Sequence, residues 1–331
     1  MPRIGAVTGS RYELHCHLDA SVRPETIADL ARSAGFTLNG PISTLAVAPP
    51  DVGSLRAFLP YIDVAVDVLQ TGDALHRAAR ELVEDWHRDD VTYGEARFAP
   101  QLHTRLDLTI DDAVSAVARG LADGESTTGV QTALLLCCLR HQSPDVSLEV
   151  ADTAVHRRGL VAGLDLAGDE ALPGAPHVEA FDLAHRAGLP VTVHAGEAVG
   201  PASVWEALDI LGARRIGHGV RAVGDPVLVD RLVRQGIALE TCPRCNVLTR
   251  AVPSLEQHPV DALLRRGARV TVSTDARTTA DTTLDRELGD LAMVHGWELA
   301  ERSRTQTYAR EAAFGDPYRK VAPPTGMRPR D

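Results

Sequence analysis

From about residue 90 onward the chain repeats one unit: an amphipathic stretch with helical spacing, a glycine, and a short apolar run rich in strand formers. Gly159 precedes LVAGLDL, Gly188 precedes LPVTVHA, Gly212 precedes ARRIGHG, Gly236 precedes IALETC and Gly267 precedes ARVTVSTD. A glycine suits the left-handed position that ends a helix, and uninterrupted apolar runs suit strands covered on both faces. The pattern predicts a parallel sheet with helical crossovers. Ser143 followed by Pro144 marks one helix start, an N-cap and then proline in the first turn.

The strand candidates are YELHCH, TYGEARFAP, VQTALLLC, LVAGLDLA, PVTVHA, RRIGHG, IALETC and RVTVSTD. Eight strand-then-helix units in 331 residues, with no linker between them, predict an α/β fold. A closed (β/α)8 TIM barrel suits that count better than a doubly wound open sheet. The stretch from about residue 36 to 90 exceeds one crossover, so extra helices are expected after the first strand, with FLPYIDVAVDVLQ walling a pocket. Residues 1–315 read as a single domain. Residues 316–331 are Pro-rich, charged and aperiodic and read as a flexible tail.

Charge and cysteine usage narrow the partners. Lys plus Arg number 34 against 45 Asp plus Glu, a net charge of -11, which argues against binding nucleic acid or an anionic membrane. A small-molecule partner is expected. No run approaches the roughly 18 apolar residues of a membrane helix, and the start lacks an apolar leader, so a cytoplasmic location is expected. Five cysteines, an odd number, suit reduced thiols better than a disulfide framework, and the single CPRC pair (Cys242, Cys245) is weak evidence for zinc or redox work.

Functional residues of a parallel barrel gather at the C-terminal ends of its strands. His15 and His17 end the first predicted strand, His194 the fifth, His218 the sixth and Asp275 the eighth. Residues i and i+2 of a strand share a face about 6.6 Å apart, so two imidazoles there can converge on one metal at about 2.1 Å. Cys16 between them points the other way and reads as a small core residue. Each motif alone has a plainer reading. A strand-end histidine often bonds only backbone or solvent, Glu197 suits a helix start, RIGHGV suits a core histidine between tight-turn glycines, and STD suits an N-cap. The coincidence of all four at strand ends favours a site. Three imidazoles and one carboxylate, without thiolate, fit a catalytic zinc with a position open for water, while iron, cobalt or manganese stay harder to exclude. Such a metal lowers the pKa of its water to near 7, leaving Glu197 and His218 free to move protons. This is a part list for metal-assisted hydrolysis.

The stretches ELHCHLD with RPETI, YGEARFAPQLHT, GLDLAGDE, VHAGE, RIGHG, CPRCNVLT and STDARTTADTTL run in one order through the chain to about residue 315. In this they resemble the adenosine deaminase family of amidohydrolase-type barrels. The resemblance implies one Zn2+ per chain held by His15, His17, His194 and Asp275. It implies that Glu197 protonates the ring nitrogen beside the attacked carbon, and that His218 and Asp275 orient and deprotonate the water on the zinc. It further implies that the Gly168 backbone N–H meets the purine and that Asp19 reaches the ribose hydroxyls. The implied reaction is hydrolytic deamination of an adenine-type nucleoside, with release of ammonia.

The sequence departs from the family pattern in three places. Ala276 stands where a second polar residue, commonly aspartate, bonds N7 of the purine; Ala20 replaces a usual glycine, and Cys245 a usual serine or other small residue. Losing one oriented bond to a buried substrate typically costs about 1–3 kcal/mol. The substrate therefore stays open between adenosine, a 5′-modified relative such as aminodeoxyfutalosine or methylthioadenosine, and a base lacking the N7 contact. A nucleoside-binding homologue without turnover is disfavoured by the presence of Glu197. A two-metal phosphoester or amide hydrolase is disfavoured because Lys320, in the tail, is the only lysine.

Overall fold

The computed structural model describes residues 10–315. The predicted tail at 316–331 lies outside the described residues. All eight predicted strands are present: β1 (Arg11–His17), β2 (Val91–Phe98), β3 (Gln131–Leu139), β4 (Val161–Ala167), β5 (Thr192–Ala195), β6 (Arg215–His218), β7 (Ala238–Thr241) and β8 (Arg269–Val272). Parallel ladders join β1 through β4 in order and β5 through β8 in order. Two single bridges close the ring, Leu164 with Val191 between β4 and β5, and Cys16 with Asp275 between β1 and the segment after β8. The result is a (β/α)8 barrel.

Alternation along the strands sorts the side chains. Ala96, Phe98, Leu134, Leu136, Leu164, Leu166, Val193, Ile216 and Leu239 belong to the large apolar cluster shared with the helices. Among the residues between them, Arg97, Asp165, Thr192, His194, Arg215 and Glu240 put polar groups into the barrel interior, while Leu135 and Ala238 stay apolar. Arg97 reaches Asp165 and Glu240, each at 2.9 Å, and Arg215 joins Glu95 and Glu240, each at 2.5 Å. Buried charges are expensive unless paired, and every member of this layer has a partner of opposite sign.

The expected insertion is present as helices Pro24–Ser33, Ile42–Leu45, Leu55–Phe58, Pro60–Val68 and Gly72–Arg88 between β1 and β2. Gly72–Arg88 starts where the Thr71 hydroxyl accepts the Ala74 N–H at 3.3 Å, and it buries Leu75, Ala79, Leu82 and Trp86 on one face. Gly188, Gly212, Gly236 and Gly267 take positive φ as anticipated; Gly159 does not, because helix Pro144–His156 ends earlier and Gly159 lies in the turn beyond. Ser143 caps that helix by position only, with no side-chain bond. No described helix is long and apolar enough to cross a membrane.

Candidate active site

Four expected metal ligands meet at the C-terminal mouth of the barrel. One donor atom from each of His15, His17, His194 and Asp275 lies within 4.8 Å of the others. The His17 and His194 Nε2 atoms are 3.1 Å apart, and Asp275 Oδ1 is 3.6 Å from His15 Nε2 and 3.5 Å from His17 Nε2. Asp275 is not a strand end, as the sequence suggested. It sits three residues past β8, where its N–H donates to His15 O at 2.8 Å and its C=O accepts the His17 N–H at 2.7 Å. His15 Nε2 is buried and has no hydrogen-bond partner, an orphan that a cation would satisfy. Cys16 points away into the apolar cluster, with its sulfur 3.4 Å from the Ser21 hydroxyl.

The outer nitrogens of two ligands are tied to the interior ion layer. His15 Nδ1 lies 2.8 Å from Glu240 Oε2, and His194 Nδ1 lies 3.1 Å from Asp165 Oδ1. Carboxylates there fix the tautomer that leaves each Nε2 bare for a metal. Burial holds His17 well below the usual histidine range, so its ring stays neutral. Burial also opposes ionisation of Asp275, but the close imidazoles of His15, His218 and His17 outweigh that and hold its carboxyl well below the ordinary range. Gly217 lets the ligands converge, for a Cβ there would stand 3.0 Å from His15 Cε1 and 3.2 Å from His194 Cα. The site fits a divalent ion with nitrogen and oxygen donors.

Glu197 and His218 face each other beside this set, with Glu197 Oε2 3.5 Å from His218 Nε2. Glu197 is not at a helix start; the next helix begins at Pro201. Its loop is instead gathered around Glu170, whose carboxylate accepts the backbone N–H groups of Gly196, Glu197, Ala198 and Val199 and the Ser203 hydroxyl. The Thr249 hydroxyl donates to Glu197 Oε1 at 2.8 Å. Burial, then the charges of Asp275 and Glu170, raise the Glu197 carboxyl above its ordinary value against the opposing pull of His218. His218 and Asp275 both hold φ of 61°, a conformation uncommon outside glycine that marks imposed geometry at functional sites.

A cavity of about 190 Å³ opens over these groups. Its wall includes Leu55, Phe58, Leu59, Ile62, Asp63 and Val66 from the inserted helices, so the expected wall is in place. Asp19 and Gly168 line it too. Gly168 has φ of 91°, and a Cβ there would lie 3.1 Å from His141 Nδ1. Burial pushes Asp19 up to about 6. Ala276 does not line the cavity; it is 1% exposed and packs with Ala20, Phe58 and Cys245. Cys245 does line it, and burial, with the Asp275 charge, keeps its thiol protonated. All five cysteines are buried and free. A larger cleft of about 560 Å³ runs elsewhere beside Arg11, Arg23, Arg88 and Arg277, but each of these pairs with a carboxylate of Asp285, Asp85 or Asp89.

The sequence reading missed Glu170, Asp165, Glu240, Asn246 and Thr249. The available signal was charge at inward strand positions, as in LDLA and ALET, where an aliphatic residue would otherwise be expected.

Barrel and donor set together make this chain a metal-dependent aminohydrolase of the amidohydrolase type. The family model described as Adenosine deaminase matches residues 10–322, and the chain belongs to that family. Adenosine deaminase from Mycobacteroides abscessus is 41% identical, the match covering 91% of this chain and 89% of that protein. Among solved structures, adenine deaminase from Arthrobacter aurescens superposes with a TM-score of 0.87 at 29% identity, covering 93% of this chain and 94% of that one. An amidohydrolase from Burkholderia ambifaria with bound Zn gives 0.83 at 25% identity, covering 93% and 86%.

Proposed function

We propose that the chain is a zinc-dependent deaminase of adenine-type nucleosides that carry no 5′-phosphate. The observation that carries the reading is the placement of Glu197, a buried carboxyl with raised pKa, in the cavity lining beside the four-ligand set. His15, His17, His194 and Asp275 would hold the ion. Bound there, it would lower the pKa of a coordinated water toward neutrality.

The chain's own groups perform the rest. Thr249 occupies Glu197 Oε1, leaving Oε2 as the oxygen that carries the proton toward the ring nitrogen beside the attacked carbon. A purine ring accepts electron density as the nucleophile adds, so a positioned acid on that nitrogen lowers the barrier. His218 and Asp275 orient the attacking water from the opposite side, 4.0 Å apart through Nε2 and Oδ2. Phe58, Leu59, Ile62 and Val66 exclude bulk water from the base. Gly168 offers backbone to the purine edge, and Asp19 accepts from a sugar hydroxyl.

The cavity also selects against charge. Among the described residues its lining holds the carboxylates of Asp19 and Asp63 and no lysine or arginine. A phosphate dianion placed there would meet like charge with no lysine or arginine to offset it. Ala276 favours a second, finer reading, in which the base lacks a normal N7 contact. Ammonia release from adenosine and from its 5′-monophosphate tests the proposal. Adenosine is expected to win by at least about 100-fold in kcat/KM, the scale of two to three kcal/mol of discrimination. A preference for the monophosphate overturns it.

A further inference from the structure

We infer that Asn246 and His258, neither of which lines the cavity, keep His218 Nδ1 bare and its proton on Nε2, and so make that ring a hydrogen-bond donor toward the reacting groups. Two backbone N–H groups, which can only donate, set every direction in the chain of bonds. The Cys242 N–H donates to Asn246 Oδ1 at 3.3 Å. This fixes which end of the amide is oxygen, and the Asn246 NH2 then faces His218 Nδ1 at 3.0 Å. An NH2 group only donates, so His218 Nδ1 must be bare.

The same logic runs through His258. The Val260 N–H donates to His258 Nδ1 at 3.2 Å, which leaves the proton on Nε2, and Nε2 lies 3.2 Å from Asn246 Oδ1. Burial pushes His258 down to about 3, so its ring is neutral. Asn246, His258 and His218 are 0%, 3% and 1% exposed, too enclosed for water to accommodate the opposite arrangement. Were His218 protonated on Nδ1 instead, two donors would face each other at 3.0 Å.

The consequence for turnover rests on the proposed deaminase reading; the tautomer itself does not. His218 Nε2 stands 3.5 Å from Glu197 Oε2 and 4.0 Å from Asp275 Oδ2. With its proton there, the ring has no lone pair at Nε2 to take a second one. It therefore stabilises the oxygen adding to the attacked carbon by donation, and the water's proton passes to a carboxylate. Asn246 and His258 are positioning residues that act through His218.

Long-range 1H–15N spectra of the purified metalloprotein labelled at histidine nitrogens test the inference. The His218 signals are assigned by their loss in His218→Gln. The expected wild-type pattern is a protonated Nε2 and a bare Nδ1, and a protonated Nδ1 overturns the proposal whether or not the protein deaminates anything. In Asn246→Asp, a carboxylate that can only accept should move the proton to Nδ1. Turnover should then fall about 100-fold with metal content and KM retained. An Asn246→Asp protein whose Nδ1 stays bare also overturns it. If that variant does not fold, the wild-type spectrum alone decides.

Discussion

Asp275 and His15 are joined twice, once through side chains that approach within 3.6 Å and once through the Asp275 N–H on the His15 carbonyl at 2.8 Å. That backbone bond is part of the seam where β8 meets β1 and the barrel closes. The candidate metal ligands are thus also residues of the barrel closure, and Asp275 holds a φ of 61° there.

His17 is the candidate ligand whose removal separates the two jobs, since among the described residues its ring makes no bond to the interior ion layer and its side chain is 17% exposed. His17→Ala is expected to abolish tight binding of one divalent ion per chain while leaving the helical circular-dichroism signal intact. Elemental analysis of the purified variant and wild type checks both halves; a variant with undiminished metal removes His17 from the ligand set.

Glu197→Gln separates the proton donor from the metal. The variant should keep its ion, bind substrate and lose about 100- to 10,000-fold in kcat. Because the acid must be protonated and its pKa is raised by burial, wild-type kcat should fall as pH rises through that value. Unchanged turnover in the variant would reduce Glu197 to a structural charge.

Glu170 should matter nearly as much, without touching the reaction. Its carboxylate collects four backbone N–H groups and one hydroxyl around the Glu197 loop. In Glu170→Gln one oxygen becomes an NH2 aimed at donors, at a cost on the order of 2–4 kcal/mol in stability and about 10- to 100-fold in kcat. Thermal unfolding and steady-state kinetics on metal-loaded protein measure both.

The barrel was legible in the sequence because its signals are local: a glycine between many of the helices and the next strand, a short apolar run, a polar residue at or just past the strand end. The convergence of His15, His17, His194 and Asp275 was legible for the same reason. Glu170, Asn246 and Thr249 were not, because each acts on a partner distant in sequence, 27, 28 and 52 residues away for Glu197, His218 and Glu197. Asp165 and Glu240 were hidden in strands whose neighbours are aliphatic, where only closure of the ring brings them beneath the histidines.

Glu287 gives the fold a pH signature. It accepts from the Thr282 hydroxyl at 2.8 Å and the Arg244 N–H at 3.1 Å, and burial pushes its carboxyl up to about 8 from 4.5. The native state keeps a proton that the unfolded state releases above about 4.5, so stability from this group is present at low pH and is lost as pH rises toward 8. Glu287→Gln should flatten that slope, by on the order of 2–4 kcal/mol between the two ends. Urea midpoints at pH 5 and 8 for both proteins decide it.

Ala276 packs with Phe58 and Cys245 behind the cavity surface, at the position where the family usually carries a polar residue for N7. Adenosine and 7-deazaadenosine should differ little in kcat/KM for the native enzyme, because no donor is left unpaired when N7 is absent. They should differ more for Ala276→Asp, which restores a partner for N7. A native preference for adenosine of about 100-fold would mean that another group has taken over that contact.

Hydrolytic deamination itself is tested most directly by isotope. Metal-loaded enzyme and adenosine are incubated in water enriched in 18O, and ammonia and the purine product are measured together. The account predicts one ammonia released and one 18O gained on the product's new carbonyl per turnover, with neither in Glu197→Gln over the same time. No ammonia, or a product whose new oxygen does not come from water, would contradict it.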